Sequence, residues 1–206
     1  MILQYTFMKD TPDFIMPRFG FAQFLSNIQK YKITFSYIAP PILVTLNRLP
    51  DIDRYDLSSL ETLFSGAAPL GATLAQDVKE RLESRRTNNQ ALNIAQGYGL
   101  TETSSATHIL PPVDTIRKVG SIGLLLPNLE ARLVVNGDGD GSIDAEEGQP
   151  GELWIRGPSV MKGYHDNPAA TKDSITHDGL FKMGEIAIRD SEGYYVHYRG
   201  PKEGAD

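Results

Sequence analysis

The spacing of apolar and polar positions changes character about halfway along the chain. Residues 21–32 read as a helix that leads into the strand-like run Ile33-Thr34-Phe35-Ser36-Tyr37-Ile38. Pro40 and Pro41 stop that strand, and Pro41 suits the opening turn of an apolar helix over 42–49. Tyr55-Asp56-Leu57-Ser58-Ser59-Leu60 makes a turn into a short strand over 60–64, and Ser65-Gly66-Ala67-Ala68-Pro69 is a loop of small residues. Leu74, Val78 and Leu82 recur at i, i+4 and i+8, which predicts an amphipathic helix over 72–84. A short strand over 93–95 then runs into Gln96-Gly97-Tyr98-Gly99. Strand, small loop, helix and strand in succession make an α/β pattern. From about residue 119 the strands 131–135, 151–156, 185–189 and 194–198 follow one another between Gly/Asp turns. Asn167-Pro168 predicts a helix over 169–175, with Asn as its N-cap and Pro at its first position. An α/β first half therefore leads into a β-rich second half.

Composition narrows the function without naming it. The chain has 206 residues, 40% of them hydrophobic and 22% charged, with a formal net charge of −6. Such a chain has enough apolar side chains to build a core and lacks the basic excess of a nucleic-acid binder. It has no cysteine, which removes disulfides and thiolate chemistry. No apolar run is long enough to span a bilayer, and the first ten residues lack the regions of a signal peptide. A cytoplasmic location is the expectation, or a peroxisomal one should a targeting tripeptide follow beyond residue 206.

The segment Gln96-Gly97-Tyr98-Gly99-Leu100-Thr101-Glu102 holds the densest candidate chemistry. Glycines on either side of Tyr98 let the backbone pass close to a bound molecule, and Tyr98 offers a flat face to a base. Thr101 can hydrogen-bond a phosphate, and Glu102 is a hard oxygen ligand suited to Mg²⁺. The competing reading of the same residues is a strand-to-turn loop with an exposed aromatic.

Several blocks in order decide between them. Ile15-Met16-Pro17-Arg18-Phe19, Lys30-Tyr31-Lys32-Ile33-Thr34, Pro40-Pro41-Ile42 and 55–60 are followed by Ser65-Gly66-Ala67-Ala68-Pro69-Leu70-Gly71 and the QGYGLTE block. Gly151-Glu152-Leu153-Trp154-Ile155-Arg156-Gly157 and Met161-Lys162-Gly163-Tyr164 come later. In this the chain resembles the adenylate-forming (AMP-binding) superfamily of acyl- and aryl-CoA ligases, luciferases and peptide-synthetase adenylation domains, and within it the 4-coumarate–CoA ligase-like branch. The resemblance implies part of the large N-terminal domain of such an enzyme, an α/β layer followed by a β-rich subdomain. The expected division is 1–118 for the α/β part, 119–200 for the β-rich part and 201–206 for the start of a hinge. It implies an acid–thiol ligase that uses ATP, Mg²⁺ and CoA to activate a small carboxylic acid, with no nucleic acid and no membrane span.

The resemblance also implies roles. Gly66, Ala67 and Ala68 would lie on one side of adenine and Tyr98 on the other, within a nucleotide-binding set that includes Gln96, Gly97 and Gly99. Thr101 would contact phosphate, Glu102 would take the Mg²⁺ position, and Glu185 and Arg199 would hold the ribose hydroxyls. Residues 37–41, with Gly97 and Gly99, would line the acid pocket, and Lys202 would fall near the hinge. The sequence departs from the family at Met183-Gly184-Glu185, where the family has Thr-Gly-Asp, and at Tyr198-Arg199, where it has Asp-Arg. The family's Ser/Thr/Gly-rich phosphate loop with its Lys, the His that follows it, and the small C-terminal domain with its catalytic Lys have no counterpart in these residues. The chain is therefore expected to be an internal piece that is inactive alone.

Other readings are weaker. Residues 136–147 fit a calcium EF-hand loop, but the extended flank at 131–135 and Gly148-Gln149-Pro150-Gly151 favour a plain hairpin turn. His108, His165, His177 and His197 lack metal-ligand spacing and read as surface or turn residues, with His108 near the edge of the acid pocket. Trp154 reads as a core residue of its strand. An amino-acid adenylation domain would want an aspartate for the substrate amine, and 37–41 and 97–107 offer no convincing one. A non-catalytic truncated product is the remaining alternative.

Overall fold

A computed structural model of the chain describes residues 2–66, 70–86, 88, 90–135, 141 and 143–198, with side chains from residue 6 onward. The expected sites Ala67, Ala68 and Arg199, and the hinge over 201–206, lie outside the described residues.

The first half begins with helix α1 (Ile2–Lys9), which the apolar spacing did not announce. Helix α2 (Phe21–Tyr31) buries Phe24, Leu25 and Ile28 and ends where Lys32 turns left-handed (φ 52) and returns its N–H to the Ile28 carbonyl. Strand β1 (Phe35–Ile38) follows. Helix α3 (Pro40–Arg48) starts two residues earlier than the pattern predicted. Ala39 is extended (φ −101, ψ 154), the conformation a following proline enforces, and both prolines sit in the first turn, where no N–H is needed. Strand β2 (Thr62–Ser65), helix α4 (Ala72–Glu83) and strand β3 (Asn93–Tyr98) complete this half. Strands β1, β2 and β3 run parallel in that order.

Period-2 alternation gives this sheet two unlike faces. Leu63 and Ile94 pack with Leu43 and Leu46 of α3 and with Ala75, Val78 and Leu82 of α4 in one apolar core. Fully burying each Leu or Ile there contributes about 1.5–3 kcal/mol. The other face carries an aromatic cluster, with Phe35 and Tyr37 rings 4.8 Å apart and Tyr37 and Phe64 rings 5.5 Å apart.

The second half is antiparallel. It consists of β4 (His108–Ile109), β5 (Gly123–Leu125), β6 (Glu130–Val134), β7 (Gly151–Arg156), helix α5 (Pro168–Ser174), β8 (Phe181–Arg189) and β9 (Tyr194–His197). Among the described residues all strands join one sheet in the order β1-β2-β3-β4-β5-β9-β8-β7-β6. A second core forms from Ile122, Leu153, Ile155, Phe181, Met183, Ala187 and Tyr195. Trp154 points away from it, fully buried with Val134 and Leu180. Asn167 caps α5 as expected, its Oδ1 accepting from the Ala170 N–H at 3.1 Å. The described part of 136–147 returns along β6. The Val135 N–H donates to the Ile143 carbonyl at 2.9 Å, and the Ala145 N–H to the Leu133 carbonyl at 2.7 Å. A strand, not a helix, enters this segment, and the Asp144 carboxylate is paired with Arg132 at 2.7 Å. The calcium positions at 136–140 lie outside the described residues. Among the described residues no helix is long and apolar enough to cross a membrane.

Candidate active site

Gly66, Gln96, Gly97 and Tyr98 lie at the carboxyl ends of the parallel strands, where open α/β sheets form their binding crevices. Ile38 pairs with Ser65, and Ser65 with Gln96, so the strands finish side by side. Gly66 follows directly, its N–H donating to the Ile38 carbonyl at 3.1 Å. Among the described residues, a side chain at Gly66 would meet nothing within 4 Å.

Strand β3 runs three residues further than predicted, through Gln96-Gly97-Tyr98, because Gly97 and Tyr98 pair with Ile109 and His108 of β4. Gln96 is buried, and its Nε2 donates to the Ser121 carbonyl at 2.5 Å. Its amide thus ties β3 to the segment before β5. The two glycines also have a physical reason within the protein. A Cβ on Gly97 would lie 2.7 Å from the Phe64 ring, and one on Gly99 would overlap the Ser105 carbonyl oxygen. Close approach there is between parts of the protein itself.

Tyr98 sits in a cluster of ionisable rings. Its ring meets His197 edge-on at 4.7 Å and lies 6.1 Å from His108. His108 in turn meets Tyr195 at 4.5 Å. The Tyr98 hydroxyl is buried without a hydrogen-bond partner among the described residues. Burial, and then the nearby Glu185 charge, push its pKa well above the usual tyrosine range. His108 is completely buried, and burial followed by the His197 charge pushes it down to about 3, so it is neutral at pH 7. Thr107 Oγ1 lies 2.9 Å from His108 Nδ1 and 3.2 Å from the Tyr98 carbonyl. The carbonyl can only accept, so both bonds form when the hydroxyl donates to it and Nδ1–H donates to the hydroxyl. The bare Nε2 then has no partner among the described residues. Two of the four histidines therefore depart from the surface reading. His108 is buried and the His197 side chain is 12% exposed, whereas those of His165 and His177 are 96% and 98% exposed.

Glu185 reaches this cluster through a bulge. Glu152 pairs with Ile186 and Trp154 with Lys182, so Leu153 alone faces residues 183–185. Gly184 takes φ 70 at that point, and the Glu185 side chain turns outward, half exposed, with Oε2 3.7 Å from His197 Nδ1. Bulges re-aim side chains in this way beside functional sites. Tyr98, His197 and Glu185, from three separate strands, thus meet in one place.

Thr101 and Glu102 form a single 3-10 turn directly after β3. Thr103 is buried beneath it, its hydroxyl accepting from the Leu100 N–H at 3.0 Å, and Ser104 leaves the turn with φ 52. The Thr101 side chain is exposed. The Glu102 Oε1 accepts from the Tyr164 hydroxyl at 3.0 Å, and its backbone carbonyl from the Met161 N–H at 2.7 Å. Its second carboxylate oxygen has no hydrogen bond or ion pair among the described residues, which suits a cation bound there. No group of three or more His, Asp or Glu side chains suited to a metal occurs among the described residues. A Mg²⁺ ion at Glu102 would therefore take its other ligands from phosphate and water, its usual habit. Tyr164 was not singled out as a site residue from the sequence, although its block stands among the matching segments.

A cavity of about 780 Å³ lies apart from the Tyr98 cluster. It runs along β1 and is lined by Phe14, Met16, Tyr31, Phe35 and Ile38, among others. It includes Tyr37, Ile38 and Ala39 of the expected acid pocket.

A parallel α/β sheet extended by an antiparallel sheet, with these residues at its strand ends, is the N-terminal-domain architecture of the adenylate-forming enzymes. The structure matches the N-terminal domain of FACL13 from Mycobacterium tuberculosis with a TM-score of 0.78 at 25% identity, over 96% of this chain and 46% of that one. It matches a long-chain-fatty-acid-CoA ligase from Archaeoglobus fulgidus with a TM-score of 0.75 at 27% identity, over 89% of this chain and 37% of that one. Residues 7–165 match the AMP-binding enzyme family, and the chain belongs to that family. A probable 4-coumarate–CoA ligase 2 of Dictyostelium discoideum is 44% identical over 92% of this chain and 32% of its own length. A 4-coumarate:CoA ligase 1 of Petunia hybrida is 36% identical over 86% of this chain and 31% of its own length. The chain thus spans about a third of the length of the curated relatives it matches.

Proposed function

We propose that these residues form the nucleotide-facing part of an ATP-dependent acid–CoA ligase. A carboxylate is a poor electrophile because it is anionic and would have to expel oxide. Its attack on the α-phosphorus of ATP releases pyrophosphate and gives an acyl-adenylate. The thiol of CoA then displaces AMP to give the thioester. Such phosphorus chemistry depends mainly on positioning and charge neutralisation.

In this reading the Tyr98 ring and the strand end at Gly66, with Ala67 and Ala68 beyond it, flank the base. Glu185 and Arg199 receive the ribose hydroxyls. Thr101 donates its hydroxyl to a phosphate oxygen. Glu102 offers its unengaged oxygen to Mg²⁺, which when bound supplies positive charge against the phosphates. His108 holds the back of the Tyr98 ring as a neutral imidazole. Residues 37–41 face the acid.

The observation that carries the proposal is the meeting of Tyr98, His197 and Glu185, from three strands, next to the Thr101–Thr103 turn. The test is Glu102→Ala in a full-length ligase that carries this sequence. Loss of one such contact costs on the order of 10²-fold or more in rate. Acid-dependent pyrophosphate exchange should fall by that factor, and an unchanged exchange rate would refute the role.

A further inference from the structure

We infer that Tyr164 is a positioning residue that aims the Glu102 carboxylate at the metal–phosphate group. The inference rests on the proposed role of Glu102 and adds a residue to it.

Two hydrogen bonds join residues far apart in sequence. The Met161 N–H holds the Glu102 carbonyl at 2.7 Å and so fixes the backbone of the turn. The Tyr164 hydroxyl holds Glu102 Oε1 at 3.0 Å and so fixes the side chain. A Glu side chain has three rotatable bonds, and a carboxylate at a turn would otherwise sample several directions. With one oxygen pinned by a neutral donor, the other points in one direction and the group keeps its full negative charge. A lysine in the same place would pin the carboxylate equally well but would cancel the charge that a cation needs.

Tyr164 is itself held from behind. Its N–H donates to Thr171 Oγ1 at 2.9 Å, and that hydroxyl donates to the Asn167 carbonyl at 3.0 Å. Gly163 makes room for the arrangement. It takes φ 151, and a Cβ there would come within 2.8 Å of the Thr171 methyl. Thus the N-terminal turn of α5, capped by Asn167, sets Thr171, Thr171 sets the Tyr164 backbone, and the Tyr164 hydroxyl sets Glu102.

Partners that orient a metal's ligands typically change metal affinity by roughly 10–100-fold when lost. The experiment compares wild type, Tyr164→Phe, Glu102→Gln and the double variant in a full-length ligase that carries this sequence. Two readouts are taken. One is the Mg²⁺ concentration for half-maximal pyrophosphate exchange. The other is ATP binding by titration calorimetry with Mg²⁺ and with the metal chelated. Tyr164→Phe should raise the half-saturating Mg²⁺ about tenfold. It should weaken ATP binding only when Mg²⁺ is present and leave the melting temperature unchanged. In the Glu102→Gln background it should add nothing. If Glu102→Gln alters the Mg²⁺ dependence and Tyr164→Phe does not, the positioning role is wrong and the Glu102 role stands. If Glu102→Gln leaves the Mg²⁺ dependence unchanged, the Glu102 role fails and this inference with it. A Tyr164→Phe loss that is equal with and without metal would mark the contact as structural only and overturn the proposal.

Discussion

At position 108 the chain buries an imidazole completely, and the physical consequence is a dependence of stability on acid. His108 is held down to about 3 in the folded protein, against an ordinary value of 6.5. Between those two values the unfolded chain takes up a proton that the folded chain refuses. Folding stability should therefore fall as the pH drops below 6.5, by up to about 1.4 kcal/mol per pH unit from this one group. Urea midpoints measured from pH 7 to pH 4 check this. The His108→Leu variant should show a distinctly shallower decline, and parallel declines would clear His108 of the effect. Little of this was legible in the sequence. A lone histidine between Thr107 and Ile109 gives no sign of burial, which arises only when Tyr98 of β3 and Tyr195 of β9 close over it. Thr101 and Glu102 stood out as candidates because their motif is local, and they fall within one turn. The partner of Glu102 was harder to find, since Tyr164 stands sixty-two positions away.

Among the elements, those with a local cause were readable and those created by pairing were not. Helix α4 was marked by Leu74, Val78 and Leu82, and α5 by its Asn-Pro start. Strands β4 and β5 span two and three residues, too short for alternation to register. The extension of β3 through Gly97 runs against the weak strand preference of glycine and exists because β4 pairs with it. The same pairing explains both glycines and predicts unequal costs. At Gly97 an added methyl meets the tip of the Phe64 ring, which can swing aside. At Gly99 it meets the backbone of Ser105 and Ala106, just after the left-handed Ser104. Gly99→Ala should destabilise by roughly 1–3 kcal/mol or more, and Gly97→Ala by clearly less. Denaturant midpoints of the two variants decide it. Equal losses would show that the 104–106 backbone yields as readily as a ring.

On the scale of the whole molecule, the proposed site is one side of a reaction site. In that proposal Gly66, Tyr98 and Glu185 stand on the base and ribose side, and Thr101 and Glu102 on the phosphate side. ATP brings several negative charges against an anionic carboxylate, and balancing them calls for loop amides and lysines poised beforehand. The 206-residue stretch expressed by itself should therefore show no pyrophosphate exchange with any of a panel of fatty and aromatic acids. Turnover above background would overturn that expectation. The fold class could be read from the sequence because the change from helical to strand spacing is written along the chain. The order of the strands could not, because it depends on partners distant in sequence. That order has a bearing on how the protein is made. Of the described strands, β9 is the last to be synthesised, yet it lies in the interior of the sheet, with β5 on one side and β8 on the other. Gly123 must wait for Tyr195 before its strand is complete, a loop closure that slows folding. Until then a nascent chain presents two open strand edges to its neighbours, which makes this interval of synthesis the one in which a chaperone has most to protect.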